Sequence, residues 1–395
     1  MKEARAGFLP KVNYSESWAR SDNPVFVFSS LLTEHQFGEQ NFLLGPLNRP
    51  DFLNNFQSLV TTDQTIYDAG QTRHAVRGAT LTKEMADENS RGTRMQVIQS
   101  VVRAYYGAVL SAEQVKVADQ AVRSAEADLE RAQSVRSAGL STDSDVLSIR
   151  VHLAAMREQQ IRKTADLEVA RAALNDAMGL PLDTPHTLTT ELVAVPVAGI
   201  ALGQYEASAA QERPETRMTR LAQSLAENQS ASARSNFLPQ VTAHGAFEAD
   251  RQRFYDRGGA NWLVSIGLKW NLFNGFADKA RSQAAAAEID RATAREKEVD
   301  SAVRLQIRRA FADLNAAQQR IAVAEATVAG AEESLRITQN RYAAGLSTVT
   351  ELLRTETALL DVQTRQLQAV HDQRIASVAL ELAAGTLTPD SEVLK

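Results

Sequence analysis

The sequence predicts a mostly α-helical protein with a small β part: long antiparallel coiled-coil helices in two repeats, each with a β-hairpin. Three observations carry that expectation. The first is a seam. Between Val101 and Ala132, apolar or small residues recur at spacings of three and four: Val101, Ala104, Ala108, Ser111, Val115, Ala118, Val122, Ala125, Leu129 and Ala132. Such a seam is narrower than the stripe of an ordinary globular helix and belongs to coiled coils. The second is its return 206 positions later, as Ile307, Ala310, Leu314, Ala317, Ile321, Ala324, Val328, Ala331, Leu335 and Thr338. Self-similarity at a fixed offset marks a duplication. The third is a period of two from Trp262 to Leu272, where Trp262, Val264, Ile266, Leu268, Trp270 and Leu272 share one face and Ser265, Gly267, Lys269 and Asn271 oppose them. That alternation specifies a strand.

Composition narrows the function. Of 395 residues, 44% are apolar but only 6% aromatic, which suits closely packed helices. The net charge of −5 comes from 43 basic and 48 acidic residues mixed along the chain, so no basic patch points to nucleic acid. There is no cysteine, hence no disulfide and no thiolate chemistry. No run of 18 apolar residues predicts a transmembrane helix, and no signal peptide is present. His35, His74, His152, His186, His244 and His371 stand at no metal-ligand spacing. No phosphate loop, nucleophile elbow or zinc-hydrolase motif occurs. An enzyme is not expected, nor any metal or cofactor.

The elements follow in order. The first repeat spans 1–179, with strands at about 11–19 and 56–67, an enlarged loop over Leu31–Phe52, a long helix over 71–138 and a return helix over 142–178. Residues 180–212, holding Pro181, Pro185 and Pro196, form an irregular segment joining the copies. The second repeat spans 213–385. It opens with a helix from Pro214 to Phe237 and continues with strands at about 240–250 and 262–273, a long helix over 277–344 and a return helix over 348–384. Residues 386–395 are a tail. Each long helix runs roughly 100 Å at 1.5 Å per residue. The landmarks repeat too: Ala138-Gly139-Leu140-Ser141-Thr142 matches Ala344-Gly345-Leu346-Ser347-Thr348, and Gly179 matches Gly385. Copy two has a leading helix where copy one has only Met1–Gly7, so the chain is expected to begin late, its first helix and any signal peptide lying upstream.

Four strands cannot close a barrel, since about eight is the practical minimum. An open sheet exposing Trp262, Ile266 and Trp270 would aggregate. Either the sheet packs on the helices or it joins sheets from other chains into a ring of protomers. The second option fits the separation of strands from helices. Trp262 and Trp270 then read as an aromatic girdle at a bilayer surface. A soluble coiled-coil scaffold would explain the heptads but not these strands.

The whole chain resembles the TolC-type outer-membrane efflux proteins. The matches are Asn236-Phe237-Leu238-Pro239, then Trp270-Asn271-Leu272-Phe273-Asn274-Gly275, then the run from Arg341 to Leu353. The resemblance implies a homotrimer with a twelve-stranded β-barrel in outer-membrane lipid above a periplasmic helical barrel. It implies a passive exit duct of a tripartite efflux or type I secretion system. Its partners would be a periplasmic adaptor (membrane fusion) protein and an inner-membrane pump, its cargo drugs, metals or secreted polypeptides. Gly139, Leu140 and Ser141, with Gly345, Leu346 and Ser347, would be the adaptor-docking tips; the alternative is loop leucines tucked against their own helices. At the closed end, Glu351 matches a ring aspartate and Tyr342 a locking tyrosine, with Arg341 beside it. A second ring position falls on Arg354, opposite in charge. Asp145 is the first repeat's equivalent of Glu351. Helix capping is the alternative for both acids.

Overall fold

A computed structural model of the chain describes residues 1–139, 141–196, 199 and 201–394. In order, the elements are α1 (Lys2–Arg5), β1 (Lys11–Ser21), α2 (Pro24–Thr33), α3 (Leu44–Asn48), β2 (Leu53–Tyr67), α4 (Gln71–Ser137), α5 (Asp143–Ala177), α6 (Leu202–Glu212), α7 (Pro214–Ser235), β3 (Gln240–Arg251), β4 (Gly259–Lys269), α8 (Ala277–Ala343) and α9 (Val349–Ala384). The duplication is visible in the lengths: α4 and α8 have 67 residues each, α5 has 35 and α9 has 36. None of the twenty seam positions is exposed. The chain divides into two compact units, residues 1–86 with 219–295, and residues 87–218 with 296–395. Both units draw on both repeats, because strand pairs with strand and helix packs with helix across the duplication.

The first unit is built on one antiparallel sheet in the order β1-β2-β3-β4. Register puts Tyr14, Val60, Phe247 and Trp262 in one row and Val12, Thr62, Gly245 and Val264 in another. These rows share a face with Trp18, Ile266 and Leu268, and that face is apolar and exposed. Its one ion pair joins Glu16 to Arg251 at 2.9 Å. The opposite face is polar: Asn55 donates to Asp250 (2.7 Å), Gln57 to Glu248 (2.5 Å), and His244 lies 2.8 Å from Asp63. β4 stops at Lys269, short of the expected 273. Trp270 lies beyond it and donates its indole N–H to the Phe237 carbonyl (3.0 Å). The enlarged loop contains α3 and the last turn of α2, which begins ahead of it. Asn23 caps α2 through the N–H groups of Val25 and Phe26, and Pro24 takes the first turn, where its missing N–H costs nothing. The end of α2 turns onto the polar face, where Asn261 donates to the Thr33 carbonyl (3.0 Å).

The second unit is helical. Val303, Ile307, Ala310 and Leu314 of α8 pack against Ala209 of α6 and Leu380 and Ala383 of α9. Val122 and Ala125 of α4 pack against Leu153 and Met156 of α5 and Leu360 of α9. Burying each large side chain contributes roughly 1.5–3 kcal/mol. The segment joining the repeats is strapped to α9: the Gln373 amide donates to the Val195 carbonyl (2.7 Å) and accepts from its N–H (3.0 Å), and Arg374 donates to the Val193 carbonyl (2.8 Å). Among the described residues, no helix is long and apolar enough to cross a membrane.

α9 ends at Gly385, whose φ of 79° favours glycine and lets Thr386 N–H reach back to the Glu381 carbonyl (3.0 Å). A β-carbon there would meet backbone atoms of Arg213 at 2.8 Å, whereas one at Gly179, with φ of 69°, meets nothing within 4 Å. Gly385→Ala is therefore expected to cost about 1–3 kcal/mol more than Gly179→Ala. Thermal melting of the two variants in detergent checks this.

Candidate docking tips and pore gate

Each repeat reverses direction at one end of the helical unit. In the second repeat Gly345 has φ of 72°. Its N–H donates to the Tyr342 carbonyl (3.0 Å) and the Leu346 N–H to the Arg341 carbonyl (2.8 Å). These two bonds close a Schellman motif and satisfy the last carbonyls of α8. The Arg341 guanidinium adds a bond to the Leu346 carbonyl (3.3 Å). Leu346 is left 69% exposed at the tip. In the first repeat Gly139 has φ of 76° and donates to the Arg136 carbonyl (2.8 Å). Leu140 lies outside the described residues.

The return helices start on matched caps. Thr142 Oγ1 accepts from the Asp145 N–H (3.2 Å), and Asp145 Oδ2 accepts from Thr142 Oγ1 (2.8 Å), the Thr142 N–H (3.2 Å) and Ser141 Oγ (3.2 Å). The bonds from Thr142, with that from Ser141, hold the Asp145 carboxyl below the usual aspartate range. In the second repeat Thr348 Oγ1 accepts from the Glu351 N–H (3.2 Å), and Ser347 Oγ donates to Glu351 Oε2 (2.7 Å). Asp145 thus completes a reciprocal cap, the alternative open in the sequence, whereas the Glu351 side chain bonds Ser347 instead of the Thr348 N–H. Arg354 is exposed one turn further along α9.

Tyr342 belongs to α8 but packs with Ala132, Val146, Ile149 and Val349, which come from α4, α5 and α9. Burial, then the charges of Asp145 and Asp128, push its hydroxyl up, with Arg131 opposing. The Tyr342 hydroxyl of the second repeat thus feels the Asp145 charge of the first. Buried Asp128 and Glu356 and the half-buried His152, near the tips, were given no role by the sequence reading. A signal existed. Glu356 lies three residues after Leu353 and four before Leu360, at the three-and-four spacing of a coiled-coil seam. Trp18 was missed as well; it lies on the apolar sheet face near Phe56.

The outer membrane efflux protein family matches this sequence over residues 1–180 and 207–386. The chain belongs to that family. Among relatives of this efflux protein, it is similar to Protein CyaE of Bordetella pertussis, 26% identical over 341 residues, covering 85% of this chain and 72% of that one. It is also similar to the alkaline protease secretion protein AprF of Pseudomonas aeruginosa, 25% identical over 396 residues and covering 97% and 78%. The solved structure of the outer membrane protein VceC from Vibrio cholerae superimposes with a TM-score of 0.78 at 19% identity, covering 97% of this chain and 89% of that one. That likeness shows the fold.

The caps at the tip predict a pH effect. A carboxyl depressed on folding contributes stability above its unfolded value and loses it as pH falls through the folded one. Thr142→Ala removes the hydroxyl bond, the largest of those holding Asp145 down, and keeps the backbone one. The Asp145 midpoint is expected to rise toward the ordinary 3.8, and loss of the cap to cost about 1 kcal/mol. A carbon-detected titration of labelled aspartate carboxyls, with and without the substitution, checks it.

Proposed function

We propose that this efflux protein is one protomer of a trimeric exit duct. Three four-stranded sheets close a twelve-stranded barrel in the outer membrane, and the helices continue the passage into the periplasm. The observation that carries this reading is the sheet. One face is apolar and exposed from Val12 to Leu268, the other is polar, and β1 and β4 each leave an edge unpaired. Lipid outside, water inside and neighbouring protomers at both edges answer all three features. Trp262 and Trp270 are eight residues apart, about 26 Å along an extended chain, which suits girdles at the two bilayer surfaces. The passage is passive. The pump and adaptor that feed it choose the cargo, whether a drug, a metal or a polypeptide of the kind for which AprF is named.

Glu351 lines the closed end as a ring of three carboxylates, and Tyr342 locks it against Asp145 of the first repeat. A ring of acids at a constriction concentrates cations. The protein is expected to come from outer membrane in detergent as a heat-labile trimer with small, cation-preferring conductance in planar bilayers. Glu351→Ala should weaken that preference and relieve block by multivalent cations. A monodisperse soluble monomer would overturn the duct. Altered selectivity with Asp145→Ala but not Glu351→Ala would reverse the assignment of inner and outer helices.

The two tips dock the adaptor. Leu346 is apolar and exposed at the end of a hydrophilic coil, where an apolar side chain marks a contact. A β-carbon placed on Gly345 meets nothing within 4 Å inside the protomer. The remaining cost of Gly345→Trp is a left-handed backbone, about 1–2 kcal/mol. The substitution is expected to abolish export with trimer abundance unchanged. Normal export would remove this tip from the interface.

A further inference from the structure

Between two apolar layers near the tips lies a polar one. Asp128 of α4 is 4% exposed and Glu356 of α9 is 8% exposed. His152 of α5 places Nε2 3.2 Å from Glu356 Oε2. On the tip side are Ala132, Val146, Ile149 and Val349; on the other are Val122, Ala125, Leu153 and Leu360. Arg131 Nη1 donates to Asp128 Oδ1 (3.0 Å). Asp128 Oδ2 and Glu356 Oε1 are enclosed and, among the described residues, receive no hydrogen bond. Two neighbouring carboxylates buried between apolar layers, each with an oxygen left unpaired, are strongly unfavourable when both are charged. A proton shared between them removes one charge and supplies the missing donor.

We propose that Asp128, His152 and Glu356 form a proton-operated clasp, fastening the return helix of the second repeat to the helical hairpin of the first and releasing it when the shared proton leaves. Its role in opening the closed end rests on the duct reading above. The clasp itself rests on the packing of three helices. Only one member, Glu356, comes from the second repeat, so parting α9 from α4 and α5 breaks every bond of the group at once.

The direction of the switch follows from the surroundings. Burial first, then the neighbouring Glu356, push Asp128 up to about 8, with Arg131 opposing. Burial would raise Glu356 too, but His152, the Asp128 proton and Arg131 together hold it below the ordinary range. The proton belongs to the pair rather than to either residue. The Asp128 contribution is complete below its ordinary value of 3.8 and lost as pH rises through about 8. The Glu356 contribution is present above its ordinary value and lost as pH falls through the depressed one. The clasp therefore holds through neutral pH and lets go on the alkaline side. Tyr342 of α8 also feels the Asp128 charge; with its hydroxyl pushed up, it keeps its proton through this release.

The test is hydrogen–deuterium exchange of the intact protein in detergent at pH 7 and pH 9, corrected for intrinsic base catalysis. Residues 146–156 and 349–360 are expected to exchange at least tenfold faster at pH 9, while residues 303–314 keep their protection. Asp128→Asn supplies a donor that cannot titrate and should abolish the step. If that variant does not assemble, Glu356→Gln serves, since it too leaves one buried charge at both pH values. Equal corrected protection in the unaltered protein, or a step that survives in the assembled variant, would overturn the clasp. Exchange reads the clasp whether or not current flows, so this result and the bilayer result fail independently.

Discussion

Four strands in a row leave two open edges, and a membrane does not tolerate open edges. Each unpaired backbone group in hydrocarbon costs several kcal/mol, so a sheet in lipid closes or does not enter. The sheet here has β1 and β4 at its edges and an exposed apolar face. Assembly is thus a condition of the membrane-embedded state rather than a refinement of it. The same constraint shapes the join to the helices. Asp68 accepts from the N–H groups of Gly70 (2.9 Å) and Thr72 (2.7 Å), and Asn274 accepts from the Asp278 N–H (3.4 Å). Strand gives way to helix over a few residues, with its leading backbone donors already satisfied.

Much of this architecture was legible because coiled-coil and strand burial are periodic. The ten-position seams and the alternation around Trp262 are geometry written into spacing. The less legible parts have specific causes. β1 reads poorly because Glu16 interrupts Val12, Tyr14 and Trp18 on the apolar face. Its charge is matched by Arg251, which is 235 residues away in sequence. α2 went unread because its short run from Val25 to Leu32 is broken only by Ser29 and Ser30 and shows no helical period, although Asn23-Pro24 marks its start. The end of β4 at Lys269 was missed because Trp270 keeps the alternation while its indole bonds to Phe237. The polar residues near the tips were the hardest. A chain with 48 acids does not say which two will be buried together.

The repeats also differ where they meet. Backbone and caps at the two tips are nearly interchangeable, with glycine in the same conformation and threonine capping the same position. The clasp has no second copy. The positions 206 away from Asp128, His152 and Glu356 hold Ser334, Ala358 and Arg150. Duplication supplied two equivalent hairpins, and divergence at the surfaces between them made one pair distinguishable from the other. A ring of identical staves has no preferred place to part; one built from two kinds does.

The division into units that each draw on both repeats bears on how the protein is made. Phe56 pairs with Arg251, and Tyr106 with Arg374 at 2.8 Å. Neither the sheet nor the helical core can be finished until most of the chain exists, and closing such long loops carries an entropic cost that delays those contacts. A polypeptide emerging from its amino end therefore has little to fold onto. The finished fold thus waits for the second repeat, and the first repeat alone offers only local pairings such as β1 on β2.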